Sequence, residues 1–590
     1  SGKHLLQNET EGSSFPSVGI RTTCRARAYA VWDAASFPFI YENTLYIPSF
    51  LISWTGESLG KKLPLLKSLN AISDNSLELL KLLKHNCYYV TPYVGLEQEY
   101  FLLDKDVISK RDDIITVKRT LFGLEAAKNQ QLNDHYFGTI KQRVLKFMDE
   151  VESELNRLGI NSISKHNEGA PCQHEIAIQY NVANIAVDQN MILTEIMQKV
   201  ANANNLMCLI EEKPFFGVCG SGKHNNWSLW TDDGLNLLSP GNDPYNNLIF
   251  LTFLTAVIAA VDEYQGVLTA STITYENSFR LGGYEAPPAI ISIYLGDALQ
   301  ELVEALMKGK TYKPRKIEAK KYFFKDPSDR NRTSPFAFCS NRFEFRMLGA
   351  SSNPSEANTF LNTMVADIIA KYVSILKPYA KKPNFESKVR SLIKDELIKH
   401  KRIIFNGDGY SNEWPKVAAK RGLLNNSLPF DAITKLGIPK YVNLFTNNGI
   451  YSESEFKILI DTLLDQYNKK ALIDSKVYID LIIRKIVPNA LMYLNFLSET
   501  NKNAKDKSLK SSTTKKVNKI VVELNKKVID LKKLVSQADK LDVKKASILV
   551  RDKVIYLNRD CRKLIDALEE IMPKKYWPFP TYSEIFSSEK

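Results

Sequence analysis

An α/β body followed by an all-helical C-terminal region is the fold class that this sequence predicts, and three observations carry it. The chain has 590 residues, 44% of them apolar and 25% charged, so it is globular in composition and long enough for two or three domains. Strand-like and helix-like segments alternate to about residue 425, the pattern of an α/β unit. Beyond residue 426 no strand alternation remains, and Val517, Val521, Leu524, Val528, Leu531 and Val535 recur in alternating steps of four and three. That is the seam of a helix lying lengthwise on a partner, so a helical hairpin is expected. The boundaries expected are 1–85 for a lead-in, 86–425 for the α/β body and 426–590 for the helical region.

Taken in order, the lead-in holds short segments broken by Pro38, Pro48, Gly56, Gly60 and Pro64, then SLELLKLLKH with leucines at helical spacing. CYYVTPYVGLEQEYFLLD is rich in Tyr, Val and Phe and predicts one or two strands. HYFGTIKQRVLKFMDEVESELNRL predicts a long amphipathic helix with Ile140, Val144, Phe147, Met148, Val151 and Leu155 on its apolar face. Strands are then expected at HEIAIQY, LMCLIEEKPFF, HNNWSLW, AIISIYL and FEFRM, with helices over Gln189–Asn204 and Asn246–Val261.

The formal charge of +13 invites a nucleic-acid reading, but the excess is regional. Residues 501–545 hold 14 lysines against Asp506, Glu523, Asp530, Asp539 and Asp542, and the stretch NKNAKDKSLKSSTTKK ahead of the seam has no interleaved aromatics to stack on bases, so an exposed loop is its plainer reading. Seven scattered cysteines with no CxxC pair support neither a disulfide framework nor a zinc site. No apolar run reaches 18 residues and SGKHLLQNETEG has no signal-peptide pattern. A cytoplasmic protein with no nucleic-acid and no membrane partner is the expectation.

Chemistry concentrates in four motifs. In VGLEQEY, Glu97 and Glu99 share one face of a strand, about 7 Å apart. In KHNEGAPCQHE, a Gly-Ala-Pro turn lies between Glu168 and Glu175 and can bring them back together. In CGSGKHNNW, Gly220 and Gly222 permit close backbone approach and His224 opens a strand. In NRFEFRM, Glu344 and Arg346 lie two apart. Each pattern alone fits a structural role as well as a functional one. Together they supply five carboxylates and one imidazole, an oxygen-rich set that suits Mg²⁺ or Mn²⁺ rather than zinc. Six ligands suffice for two ions, and Arg280, Arg330, Arg332, Arg342 and Arg346 in the same region favour a bound anion such as a nucleotide phosphate.

These motifs resemble glutamine synthetase, specifically its type III branch. VGLEQEYFLLD, SKHNEGAPCQHEIA, EEKPFFGVCGSGKHNNWSL, FRLGGYEAPPAIIS, DRNRTSPFAF and NRFEFRMLGASS carry the resemblance, joined by SSFPSVGIRTTCRARAYAVWDAASFPFI, TGESLGKKLPLLKS and the terminal YWPFPTYSEIF. The resemblance implies a curved antiparallel sheet with helices, part of an N-terminal β-grasp domain, and ligation of ammonia to glutamate with ATP through a γ-glutamyl phosphate. It places one metal on Glu99, Glu168 and Glu175 and a second on Glu97, His224 and Glu344. It gives Arg280, Arg346, Gly220 and Gly222 to glutamate, Arg342 and Arg332 to phosphates, and to Glu285 the shielding of the intermediate and deprotonation of ammonium.

Two departures stand out. Cys219 occupies a place where the family usually has Asn, and the stretch that the branch carries ahead of SGKHLL has no counterpart here. The resemblance also implies a ring-forming homododecamer. A glutamate ligase using another amine, and a catalytically impaired scaffold, are the rival readings.

Overall fold

Short aromatic and β-branched stretches between Pro and Gly breaks form two small antiparallel pairs at the start of the computed structural model, which describes residues 28–53, 55–283, 286–312, 333–503 and 512–587. Strand β1 (Ala28–Trp32) pairs with β4 (Ser49–Ser53), and β2 (Phe39–Tyr41) with β3 (Thr44–Tyr46). Helix α1 (Lys62–Leu82) follows, beginning well before the leucine-rich stretch. It buries Leu65, Ile72, Leu79 and Leu80.

The Tyr- and Val-rich segment is a single 15-residue strand, β5 (Val90–Asp104). Its first half alternates, with Val90, Val94 and Leu96 in the core and Tyr93, Gly95 and Glu97 on the other face. The next long helix, α2 (Gln142–Arg157), starts later than its periodicity predicts. The HYFG stretch is not helical, because the carbonyls of His135 and Gly138 turn to accept from the Asn167 side-chain amide at 3.1 and 3.3 Å. Within α2 the apolar face is as expected, with Val144, Phe147, Met148, Val151 and Leu155 buried.

Strands β6 (Ser162–Asn167), β7 (Gln173–Ile178) and β8 (Asn181–Val182) lead into α3 (Ala183–Ala203), which begins six residues ahead of the expected Gln189 because burial of Ala183, Ala186 and Val187 extends it backwards. Strand β9 (Leu206–Leu209) ends before the Glu-Glu-Lys-Pro sequence, and β10 (Lys223–Thr231) contains HNNWSLW. Helix α4 (Leu248–Glu263) is apolar all round and buried. After the single turn α5 (Asn277–Arg280) come β11 (Ile293–Tyr294), β12 (Phe336–Cys339) and β13 (Arg342–Phe345).

These strands build one nine-stranded sheet in the order β11-β12-β13-β10-β5-β7-β6, with β8 and β9 also on β5. Every pairing is antiparallel except β11 with β12. Behind the sheet lie α1 and the long apolar α6 (Ser355–Leu376). By length and composition α6 could cross a membrane, but most of it is buried among the other elements. Trp227 on β10 donates to Asn362 of α6 at 2.8 Å, and Asn362 donates to Ser68 of α1 at 3.1 Å, so sheet and helices share one polar tie inside the core.

Helix α7 (Phe385–His400) ends on a buried charge cluster. His400 Nδ1 lies 2.7 Å from Asp262, whose other oxygen accepts from Arg402 at 2.8 Å, and Glu396 is 3.4 Å from His400 Nε2. Burial opposes the His400 charge and Lys399 repels it, yet the Asp262 and Glu396 contacts prevail and raise its pKa above the ordinary value. A raised histidine stabilises the fold fully below about pH 6.5, and that contribution is lost as pH rises through the shifted value. As pH rises above about 6.5, the melting temperature should therefore fall more steeply in the parent protein than in His400→Leu; parallel slopes would contradict the assignment.

The C-terminal region is a bundle of α8 (Glu453–Leu481), α9 (Val487–Asn503), α10 (Ser512–Ala538) and α11 (Ile555–Ile571). All six residues of the heptad seam on α10 are buried. The terminal aromatic segment returns to the α/β body, where Tyr582 shares a 2.6 Å hydrogen bond with Thr120 and Phe579 meets Phe122 edge-on at 5.0 Å.

Candidate active site

Sheet order explains how distant residues meet. Neighbouring strands β13, β10, β5, β7 and β6 stand about 4.8 Å apart and deliver, in turn, Glu344, His224, Glu97 with Glu99, Glu175, and Glu168 just past the end of β6. Register aligns them: His224 faces Glu97, and Glu99 faces Glu175. His224 Nδ1 lies 3.1 Å from Glu97 and 3.4 Å from Glu344, while its Nε2 is 3.4 Å from Glu99. All six side chains named by the sequence motifs are thus gathered on one face.

Two tight triads stand out within this array. Ligand atoms of Glu97, Glu175 and His224 lie within 4.8 Å of one another, as do those of His166, Glu168 and Glu175. Glu175 belongs to both. Its carboxyl is driven well above the usual range by burial first, and then by Glu97, Glu99, Glu168 and Glu344. A buried set of carboxylates with mutual repulsion and one imidazole in reach is a cage for hard divalent cations, and these residues fit that role.

His166 was not among the sequence candidates. It sits 3.1 Å from Glu168 and 3.8 Å from Glu175, and its pKa is raised, chiefly by Glu168. Period-two alternation would have found it, since it lies two positions before Glu168 at the end of β6. Asn226 is the parallel case, two positions after His224. Its amide donates to Glu97 at 2.9 Å and its carbonyl accepts from Arg342 Nε at 2.9 Å. Beside Glu97, Asn226 and Arg342 opens a cavity of about 420 Å³ that is also lined by Tyr93, Tyr180 and Trp230.

Beside the carboxylates, Arg280 and Arg346 form a buried cationic wall. Arg280 donates to the carbonyls of Leu348 and Arg346, each at 3.3 Å, and Arg346 pairs with Glu344 at 3.2 Å. The Nε of each arginine is buried without a hydrogen-bond partner. Buried guanidinium donors without protein acceptors suit an anion.

The glycine loop makes this wall possible. A Cβ on Gly222 would lie 2.2 Å from Arg280 Nη2, and one on Gly220 would lie 2.3 Å from the Glu212 carbonyl oxygen. Gly222 also donates its N–H to Glu99 at 2.7 Å, tying the loop to the carboxylate array. Cys219 is buried among Phe215, Val218 and Tyr582, acting as a small hydrophobe, and its backbone N–H is taken by Gln130 at 2.9 Å. Glu285, Arg330 and Arg332 lie outside the described residues.

Comparison with known families agrees with this geometry. The type III N-terminal domain of glutamine synthetase matches residues 1–68, its catalytic domain 78–292 and its C-terminal domain 388–505. A type-3 glutamine synthetase of Dictyostelium discoideum is 39% identical, across 99% of this chain and 83% of that protein. Glutamine synthetases of Bacteroides fragilis, 38% identical with the same coverage, and Butyrivibrio fibrisolvens, 39% identical across 93% of this chain and 80% of that protein, are similar too.

Proposed function

The chain belongs to the type III glutamine synthetase family and is an ATP-dependent glutamate–ammonia ligase, and we propose that it works through a γ-glutamyl phosphate at a site for two divalent ions. One observation carries the reading: six metal-type side chains converge beside two buried arginines whose Nε donors are unpartnered.

Glu97, His224 and Glu344 would hold one ion, and Glu99, Glu168 and Glu175 the other, with His166 in reach of the second set. Mg²⁺ or Mn²⁺ held there would supply positive charge to neutralise the phosphoryl group in transfer. The aromatic-lined cavity beside Glu97 and Arg342 takes the nucleotide. Arg280 and Arg346 take glutamate's carboxylates, orienting the γ-carboxylate toward the γ-phosphorus. A γ-carboxylate oxygen attacks that phosphorus and ADP leaves. Ammonia, freed of its proton by Glu285, then attacks the acyl carbon, and phosphate departs with the oxygen that glutamate brought. Arg332 steadies the phosphoryl charge.

The homododecameric state implied by the resemblance and the cytoplasmic location expected from the cysteine usage and apolar-run pattern belong to this proposal as well. Glutamate labelled with ¹⁸O in its γ-carboxylate tests it. One labelled oxygen should appear in the released phosphate for each glutamine formed, and unlabelled phosphate would refute the acyl phosphate. Replacing ammonium with larger amines in the same assay should abolish turnover; a preferred amine other than ammonia would move the protein to the rival ligase reading.

A further inference from the structure

Beneath the glutamate wall lies a buried charge cluster that the ligase chemistry leaves unused, and half of it comes from the C-terminal bundle. Helix α8 presents Lys470 and Asp474, one turn apart. Lys470 Nζ is 2.7 Å from Glu276, the residue immediately before α5, and Asp474 accepts from the Tyr275 hydroxyl at 2.8 Å while pairing with Arg119. The Arg119 guanidinium in turn lies over the rings of Tyr275 and Phe279 at 5.5 and 5.4 Å.

Helix α5 is a single turn of four residues and cannot hold its own place, since one isolated helical turn is unstable. Its position must come from its anchors. Asn277 supplies one, donating to the Met347 carbonyl at 2.7 Å, and the α8 contacts to Tyr275 and Glu276 supply the other. Arg280 stands at the end of that turn.

Charge balance points the same way. Glu211, Glu212 and Glu276 are all more than nine-tenths buried, and each keeps one carboxylate oxygen without a hydrogen-bond partner. Burial, then Glu212 and Glu276, push Glu211 well up, and burial followed by Glu276 raises Glu212. Burial works against the Lys470 ammonium, but Glu276, then Glu212 and Glu211, hold it protonated. Glu212 supports the substrate loop directly: its carbonyl accepts from Ser221 at 2.8 Å, and its carboxylate from the Ser351 hydroxyl at 2.8 Å. Lys470 therefore faces the acids that carry both loops flanking Arg280.

We propose that Lys470 and Asp474 are positioning residues for the glutamate subsite, through which the C-terminal bundle sets the place of α5 and Arg280. This inference rests on the assignment of Arg280 to glutamate. The test compares Lys470→Met, Lys470→Arg and Asp474→Asn with the parent chain in phosphate release driven by glutamate, ammonium and Mg·ATP. Lys470→Met should raise the KM for glutamate about tenfold while the KM for Mg·ATP stays within about twofold, and Lys470→Arg should stay within about threefold of the parent for both. Asp474→Asn keeps shape but removes charge and should show the same split.

The rise in melting temperature on adding glutamate with Mg·ADP, read alongside, should shrink in the same variants, giving a readout that needs no turnover. A glutamate KM within about twofold of the parent in Lys470→Met, or equal rises in both KM values, would overturn the inference. Loss of fold in both Lys470→Met and Asp474→Asn would also overturn it, making the pair structural alone. Absent turnover on glutamate and ammonium in the parent chain would instead refute the ligase assignment, and the melting readout would still decide this one.

Discussion

Glu175→Gln is expected to abolish glutamine formation and, in the same protein, to raise the melting temperature measured without metal. The two effects share one cause. Glu175 lies in both tight triads, so replacing it removes a ligand of the ion proposed on Glu99, Glu168 and Glu175 and disturbs the neighbouring group around His224. Changes even to residues that only support metal ligands cost about 10–100-fold, so loss of a direct ligand should cost at least about a hundredfold in kcat/KM. Without metal, the same carboxyl is buried against Glu97, Glu99, Glu168 and Glu344, and that crowding destabilises the fold.

The amide keeps the shape and is neutral without the protonation cost that burial and the four carboxylates impose on the acid. Scanning calorimetry with and without Mn²⁺ separates the effects: the parent should gain strongly on adding metal, and Glu175→Gln should start higher and gain little. A variant that melts lower without metal and still makes glutamine would sink the cage assignment.

How much of this was legible before any coordinates turns on the range of each interaction. The strand alternation of VGLEQEY is local, and it put Glu97 and Glu99 on one face as found. The turn at Gly169 to Pro171 is local too, and it returned Glu175 toward Glu168, with Glu168 N–H donating to the Gln173 carbonyl at 2.9 Å. The α10 seam is a property of one helix.

What stayed hidden was long-range. Nothing in the letters orders the strands so that β10 lies between β13 and β5, and that order is what carries His224 to both Glu97 and Glu344. Nor could any local pattern pair Lys470 with Glu276, nearly two hundred positions away. Helix limits failed where tertiary partners decided them. Asn167 capturing the carbonyls of His135 and Gly138 delayed α2, and core burial of Ala183 and Ala186 advanced α3. His166 is a different case: its signal is local, two positions before Glu168, but a histidine at that place fits a structural role as well as a ligating one.

Arg280→Met should raise the KM for glutamate by about a hundredfold and leave the KM for Mg·ATP nearly unchanged. Hydrogen bonds from a guanidinium to a carboxylate contribute about 1.5–3 kcal/mol each, so losing two of them costs about 3 kcal/mol, or about a hundredfold in affinity. The guanidinium reaches the wall only because Gly222 has no side chain, and its Nε is open toward no protein acceptor, so substrate supplies the partner. The cavity proposed for the nucleotide is lined by Arg342 and not by Arg280, so nucleotide binding should be spared.

Arg280 also bonds the carbonyls of Leu348 and Arg346, so some loss of packing must accompany its removal. Arg280→Lys addresses that. It retains the charge but not the planar fork, and should fall between the parent and Arg280→Met in glutamate KM. Initial-rate measurements varying glutamate at saturating Mg·ATP, then the reverse, check both. If glutamate and ATP affinities weakened in step, the arginine would be a packing residue, and the anion site would have to be sought elsewhere on the wall.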